Sequence, residues 1–270
     1  MADERAPGPA GARRIRIIGV GPGDPDQVTL EAVAAMRSVD YFLVTDKSNP
    51  TSGGKRGMPD PLVHARERLL DRHLDRPAVV VKIADAPRER RAEFTGTGEE
   101  YRAAVATWHA ARVEKYLSAL DQHEGDVGFL VWGDPAFYDS TIRVVDQIAE
   151  RIDVEVDVIP GISSVQLLAA RHRLVLHGVG RPLFVTTGRA VREAVADGHD
   201  NIVVMLNRAI ALDGLEDWQI WWGGNLGTAH EELCAGRVGD VLPDIERARG
   251  RLRDAAGWVM DIFLLRAPGA

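Results

Sequence analysis

RIRIIGVGPGDPDQVTLEAVAAM, residues 14–36, is the stretch on which the reading of the whole chain turns. RIRIIGV is a short run rich in branched aliphatic side chains, the mark of a strand. Thr29 has the position and chemistry of a helix N-cap, and the helix it opens is expected to place Leu30, Val33 and Ala34 on one face. Between strand and helix lies GVGPGDPDQVT, residues 19–29. A dinucleotide-binding loop needs its third glycine three positions after the second, but here Gly21 is followed by Pro22 and Gly23 and then at once by Asp24. That spacing does not suit a pyrophosphate, and Pro22 removes a main-chain N–H that a phosphate cradle would use. Two readings of the loop stand: bare backbone that lets a ligand come close, or a tight turn built from Gly, Asp and Pro.

Outward from this stretch, the same alternation recurs. YFLVT reads as a strand, followed by a polar Gly/Pro stretch from Ser48 to Pro61, a helix over residues 62–72 and a strand AVVVKI. A longer helix over residues 102–122 is expected to bury Val105, Trp108, Val113, Tyr116, Leu117 and Leu120. Strand VGFLVW, a helix with Val145, Ile148, Ala149 and Ile152 inward, and strand VEVDVI then lead to Pro160. Strands alternating with helices predict a mainly parallel sheet covered by helices, because parallel neighbours need crossover connections. The second half is less regular, with strands expected at LFVTT, NIVVML, QIWW and WVMDIFLLR and helices after Ser163, Gly188 and Gly239, hence an α/β domain with some antiparallel pairing. The expected division is a mobile extension over residues 1–13, a first α/β domain over 14–159 and a second over 160–270, hinged near Pro160 and Gly161.

Composition narrows the function classes. A hydrophobic share of 45% supports a proper core, and a net charge of -7 argues against general affinity for nucleic acid or anionic membranes. A single cysteine, Cys234, allows no intrachain disulfide and no thiolate metal cluster, which fits a reducing, cytoplasmic setting. No apolar run reaches the roughly 18 residues of a membrane span, and the first 13 residues lack the hydrophobic stretch of a signal peptide. The histidines are scattered without a paired spacing, so no metal site is expected.

Two further motifs follow strands. VWGDPAFYDST, residues 131–141, repeats the Gly-Asp-Pro turn, and ligands of open α/β sheets settle beyond the carboxyl ends of strands. A cationic sulfonium ligand suits such an edge, since it asks for carbonyl oxygens and a carboxylate and not for an N–H nest. Asp134 could equally cap the turn or the helix near Ser140. In PGISSVQ, residues 160–166, Ser163 or Ser164 can cap the next helix while the other is left for a ligand.

In this order, the three motifs resemble those of the tetrapyrrole methylases. The resemblance extends from about Arg14 to Arg266 through DYFLVTDK, YRAAVATWHAARVEKYL, LVWGDPAFYDSTIRVVD, VIPGISSVQLLAARHRL, WWGGNLGTAHEELCAGR and GWVMDIFLLR. It implies two α/β domains of the class III methyltransferase type with the ligand in an interdomain cleft, a homodimer, and S-adenosylmethionine as methyl donor with S-adenosylhomocysteine as product. The longer stretches imply the cobalamin-pathway branch that methylates C-1 of precorrin-5 and releases its acetyl group as acetate. Carried over residue by residue, donor contacts fall on Pro22, Gly133, Asp134, Phe137, Ser163, Ser164, Leu206 and Gly227.

Deacetylation calls for a general base and an oxyanion stabiliser. Acid–base candidates at expected strand ends are Asp46, ranked first, with Asp24, Tyr138 and Asp85, and His177 and Arg208 from the second half. For Asp46 with Lys47, a solvated loop pair is the competing reading. A polycarboxylate macrocycle asks for guanidinium and ammonium partners, and Arg88, Arg90 and Arg91 follow a strand end, with Lys47 at another; a solvated basic loop is the alternative. Rival functions are a family member with another target carbon, a dinucleotide-dependent oxidoreductase, and a binding protein without catalysis.

Overall fold

The computed structural model describes residues 12–46, 61–85 and 98–269. Lys47, Arg88, Arg90 and Arg91 lie outside the described residues, as does most of the expected N-terminal extension. The chain forms two compact units: one comprises the chain up to Gly21 together with Val28–Gly161, the other Pro22–Gln27 together with Ile162–Ala270.

The first unit contains strands β1 (Arg13–Gly19), β2 (Tyr41–Asp46), β3 (Val80–Ala84), β4 (Val127–Val131) and β5 (Val154–Ile159) in the order β3-β2-β4-β1-β5. All four pairings are parallel, as the alternating pattern predicts, with Ile17 opposite Phe129 on one side and Val158 on the other. Period-two geometry sends alternate side chains to opposite faces. Ile15, Ile17, Phe129 and Val131 meet helices α3 (Gly98–Gln122) and α4 (Thr141–Ala149). Ile18, Phe42, Val44 and Leu130 meet α1 (Leu30–Ser38) and α2 (Pro61–His73).

Helix existence was legible, but helix phase less so. Thr29 caps α1 as expected, accepting the Ala32 N–H at 3.0 Å. The inward face, however, is Ala32, Ala35 and Met36, and Leu30 is 89% exposed. In α4 the buried set is Val144, Val145 and Ile148, and Ala149 faces outward. In α3, Val113, Tyr116 and Leu120 are buried, whereas Val105, Trp108 and Leu117 are half-buried.

The second unit carries β6 (Phe184–Thr187), β7 (Asn201–Met205), β8 (Gln219–Gly224), β9 (Glu232–Arg237) and β10 (Asp261–Arg266) in the order β6-β7-β10-β8-β9. Only β6 and β7 pair in parallel; β10 runs antiparallel to both β7 and β8, and β8 to β9. Helices α6 (Val191–Ala196) and α7 (Val238–Ala256) cover one face around Trp222 and Phe263, and α5 (Ser164–His172) covers the other around Leu168 and Leu264. Strand β9 has no counterpart in the sequence-based reading. Its residues ELCAGR alternate between half-buried and exposed at the sheet edge, so polar side chains hide the strand pattern. Among the described residues, no helix is long and apolar enough to cross a membrane.

Candidate methyl-donor and active site

In a parallel sheet all carboxyl ends fall on one edge. That edge of the first unit collects Asp46 after β2, Asp85 after β3, the Gly133 turn after β4, Gly21 after β1 and Gly161 after β5. Gly21 and Gly133 form a reciprocal bridge, Gly21 N–H donating to Gly133 O at 3.2 Å and Gly133 N–H to Gly21 O at 2.8 Å. Gly19 and Gly161 are packed backbone to backbone. A Cβ on Gly161 would lie 2.2 Å from Gly133 O and 2.8 Å from the Gly19 carbonyl carbon. Gly161, the last residue of the first unit, is thus packed against the ends of β1 and β4.

The two Gly-Asp-Pro turns are built alike. In each, the aspartate side chain accepts the N–H two residues on and its carbonyl accepts the N–H three residues on, a type of turn that proline at the second position favours. For Asp24 these donors are Asp26 at 2.9 Å and Gln27 at 2.9 Å; for Asp134 they are Ala136 at 2.8 Å and Phe137 at 3.2 Å. The second oxygen of Asp134 accepts the Gly161 N–H at 2.9 Å. Turn-building is thus part of the role of both carboxylates. Beyond the second turn, Phe137 and Tyr138 are exposed, and Tyr138 takes a left-handed φ of 51°. Partial burial raises the Tyr138 hydroxyl above its ordinary value, so it remains protonated at neutral pH and can donate but not abstract.

Within the second unit, the Pro22–Gln27 segment packs against the turn after β8. A Cβ on Gly23 would lie 2.8 Å from the Thr228 methyl, and one on Gly227 2.7 Å from Gln27 Oε1. Gly227 has φ 76°, and its N–H donates to Glu231 Oε2 at 2.7 Å. Glu231 in turn holds Arg171 at 2.6 Å. Ser163 is buried and caps α5, accepting the Val165 N–H and pairing with Gln166 in a capping box. Ser164, the first residue of α5, is half-buried. Leu206, at the end of β7, is 57% exposed with φ 56°. His177 and Arg208 are both exposed.

Asp46 and Asp85 are neighbours at the ends of β2 and β3, the Asp85 N–H donating to Asp46 O at 3.2 Å. Beside them is a cation that sequence reasoning missed. Arg112 of α3 donates to Ser140 Oγ at 3.0 Å, Thr45 Oγ1 at 3.2 Å and Tyr116 OH at 2.6 Å, lies 3.8 Å from Asp85, and stacks over Trp108. It has no motif, and its only signal was its place one turn before Tyr116 on the buried stripe. Among the described residues, no group of three or more His, Cys, Asp or Glu side chains is placed to hold a metal ion.

Comparison with known proteins identifies the family of the chain. The profile of the Tetrapyrrole (Corrin/Porphyrin) Methylases matches residues 14–242. The chain is a tetrapyrrole methylase. This methylase is 39% identical, over 264 residues covering 95% of it and 96% of the relative, to precorrin-6A synthase [deacetylating] of Sinorhizobium sp.. A structure from Corynebacterium diphtheriae assigned to cobalamin synthesis (CobF) superposes with a TM-score of 0.74 at 32% identity, covering 94% of this methylase and 98% of that chain. A uroporphyrin-III C-methyltransferase from Thermus thermophilus, solved with S-adenosyl homocysteine, shares the fold with a TM-score of 0.52 at 19% identity, covering 94% and 92%. The methylase is a methyltransferase of cobalamin biosynthesis, with the mixed α/β, two-sheet fold of its family.

Proposed function

We propose that this methylase transfers a methyl group from S-adenosylmethionine to C-1 of precorrin-5 and releases the C-1 acetyl group as acetate. What supports the precise reaction is the similarity to precorrin-6A synthase [deacetylating] along nearly the whole of both chains. The observation that carries the methyl-donor half is the Gly21–Gly133 bridge. It engages both glycine N–H groups and one lone pair of each glycine carbonyl, and Pro22 has no N–H; each carbonyl keeps a second lone pair, and each Asp134 oxygen, already accepting one N–H, keeps further acceptor capacity. Carbonyl and carboxylate oxygens of this kind suit a sulfonium cation, and the Gly21 and Gly133 N–H groups are already taken by the bridge.

S-adenosylmethionine supplies, when bound, an electrophilic methyl group on a positively charged sulfur. The residues that would hold it are Pro22, Gly133, Asp134, Phe137, Ser164, Leu206 and Gly227, with Ser163 contributing by fixing the start of α5. Positioning can supply most of the effect in an in-line displacement. For deacetylation, Asp46 takes a proton from the water that adds to the acetyl carbonyl, and Asp24 is the second acid–base candidate. Tyr138, which stays protonated, donates to the oxygen on which charge develops. The C-1–acetyl bond breaks, acetate leaves, and the electron pair released at C-1 takes the methyl group. Lys47 follows β2 directly and Arg88 and Arg91 follow β3 within a few residues, so we assign them to the carboxylates of the macrocycle. The same reading has the enzyme act as a cytoplasmic homodimer, supported by the dimeric habit that the family resemblance implies; sedimentation at working concentration tests the dimer.

Isothermal calorimetry tests the donor assignment. Binding of S-adenosylhomocysteine without binding of NAD is the expected result; NAD binding without S-adenosylhomocysteine would remove the methyltransferase reading of this site.

A further inference from the structure

Leu206 follows β7 in the left-handed region, φ 56°, with more than half of its surface exposed. A leucine is strained there, because its Cβ crowds the following carbonyl, and the conformation persists only where neighbours over-determine it. Those neighbours are unusual. The Asn207 side-chain amide donates to Asp261 O at 3.1 Å, and the Gly188 N–H donates to Met205 O at 2.9 Å. A Cβ on Gly188 would lie 2.5 Å from Asn207 Oδ1, so the glycine makes room for that side chain. From α7, one Arg249 nitrogen donates to Arg208 O at 3.0 Å and reaches Asn207 O at 3.4 Å. Two consecutive carbonyls after Leu206 are thus gripped by one guanidinium.

The guanidinium is itself held. Arg249 Nε lies 2.9 Å from Asp261 Oδ2, which also accepts the Trp222 indole N–H at 3.0 Å. The Asp261 side chain is 0% exposed and that of Arg249 10%. A buried ion pair is an expensive way to fill such a volume, since apolar side chains of similar size often do as well or better. Burial also pushes the Asp261 carboxyl above its ordinary value, with Arg249 opposing that shift. Volume therefore does not explain the pair, whereas its grip on the Leu206–Arg208 turn does.

We propose that Arg249 and Asp261 are positioning residues that lock the Leu206–Arg208 turn in the form that receives the adenosyl ligand. The ligand half of this inference rests on the assignment of Leu206 as a donor contact made under Proposed function. Neither residue touches the ligand; they act through the backbone of Leu206, Asn207 and Arg208. Without them the turn samples other conformations, and affinity falls by the fraction of time it is competent.

The test uses the full chain. Because Arg249→Met alone strands a buried carboxylate, the informative variant is the neutral double Arg249→Met/Asp261→Asn, in which the new amide oxygen can still accept the Trp222 N–H. Amide hydrogen exchange at Gly188, whose N–H donates to the Met205 carbonyl just before the turn, is expected to accelerate, and the S-adenosylhomocysteine dissociation constant to rise about tenfold, the factor that follows if the competent fraction drops to a tenth. Arg249→Lys should fall between, since a single ammonium cannot span both carbonyls and Asp261. The exposed pair on the same helix, in Arg247→Met/Asp244→Asn, should change neither readout. Unchanged exchange in the first variant overturns the positioning role. Faster exchange with an unchanged dissociation constant, measured well below the unfolding temperature, overturns the link to the ligand. If the unaltered protein fails to bind S-adenosylhomocysteine, the donor assignment falls, while the exchange measurement still decides whether the pair holds the turn.

Discussion

The Asp134 carboxylate accepts the main-chain N–H of Gly161 at 2.9 Å, tying the turn after β4 to the end of β5 across β1, which lies between them. Its other oxygen accepts the Ala136 N–H, so one side chain both shapes its own turn and fastens it to the neighbouring strand end.

Asp134→Ala should therefore lower stability by about 1–3 kcal/mol, the usual cost of losing hydrogen bonds to a charged group. It should also weaken S-adenosylhomocysteine binding. Asp134→Asn, with one acceptor oxygen in place of two, should lie between in both measurements. Urea unfolding and calorimetry on the three proteins check this, and equal stability of Asp134→Ala and the unaltered chain would show that the tie carries no weight.

Two glycine-to-alanine changes should act with opposite sign. Gly161→Ala brings a Cβ within 2.2 Å of Gly133 O, with backbone on both sides and no flexible side chain to yield. A loss at or above the upper end of the 1–3 kcal/mol typical of overpacking is expected, roughly 3 kcal/mol. Gly250 lies inside α7, and a Cβ there meets nothing within 4 Å. Gly250→Ala should stabilise by about 1 kcal/mol through helix propensity alone. Midpoints of denaturant unfolding read both.

The adjacent serines should separate structure from binding. Ser163 caps α5, so Ser163→Ala should lose about 1 kcal/mol of stability with only a small effect on ligand affinity. Ser164→Ala should leave stability nearly unchanged and weaken S-adenosylhomocysteine binding. The reverse pattern in paired unfolding and titration experiments would exchange the two roles.

The first unit was largely legible because its strands are continuous branched-aliphatic runs and its helices are long enough to show a period. Ile15, Ile17 and Ile18 mark β1 without help from other elements, and Thr29 marks the start of α1. Phase failed in α1, where Ala32, Ala35 and Met36 rather than Leu30 face the sheet, because the first residue of the helix is exposed. Strand β9 failed because an edge strand with Glu232 and Arg237 at its ends needs no apolar alternation. In the candidate site, the Gly-Asp-Pro turns were visible as motifs, but their shared hydrogen bonding was not. Glu231, Arg249 and Asp261 belong to no motif, and Arg112 had only its place one turn before Tyr116 on α3. Each acts through a partner distant along the chain, such as Asp261 with Trp222, 39 residues away, and single-chain spacing cannot show such pairings.

The most direct measurement is single-turnover incubation of the protein with precorrin-5 and S-adenosylmethionine carrying a labelled methyl group. The account predicts one labelled methyl at C-1 and one acetate released for each macrocycle consumed. Methylation without acetate, or acetate without methylation, would contradict it.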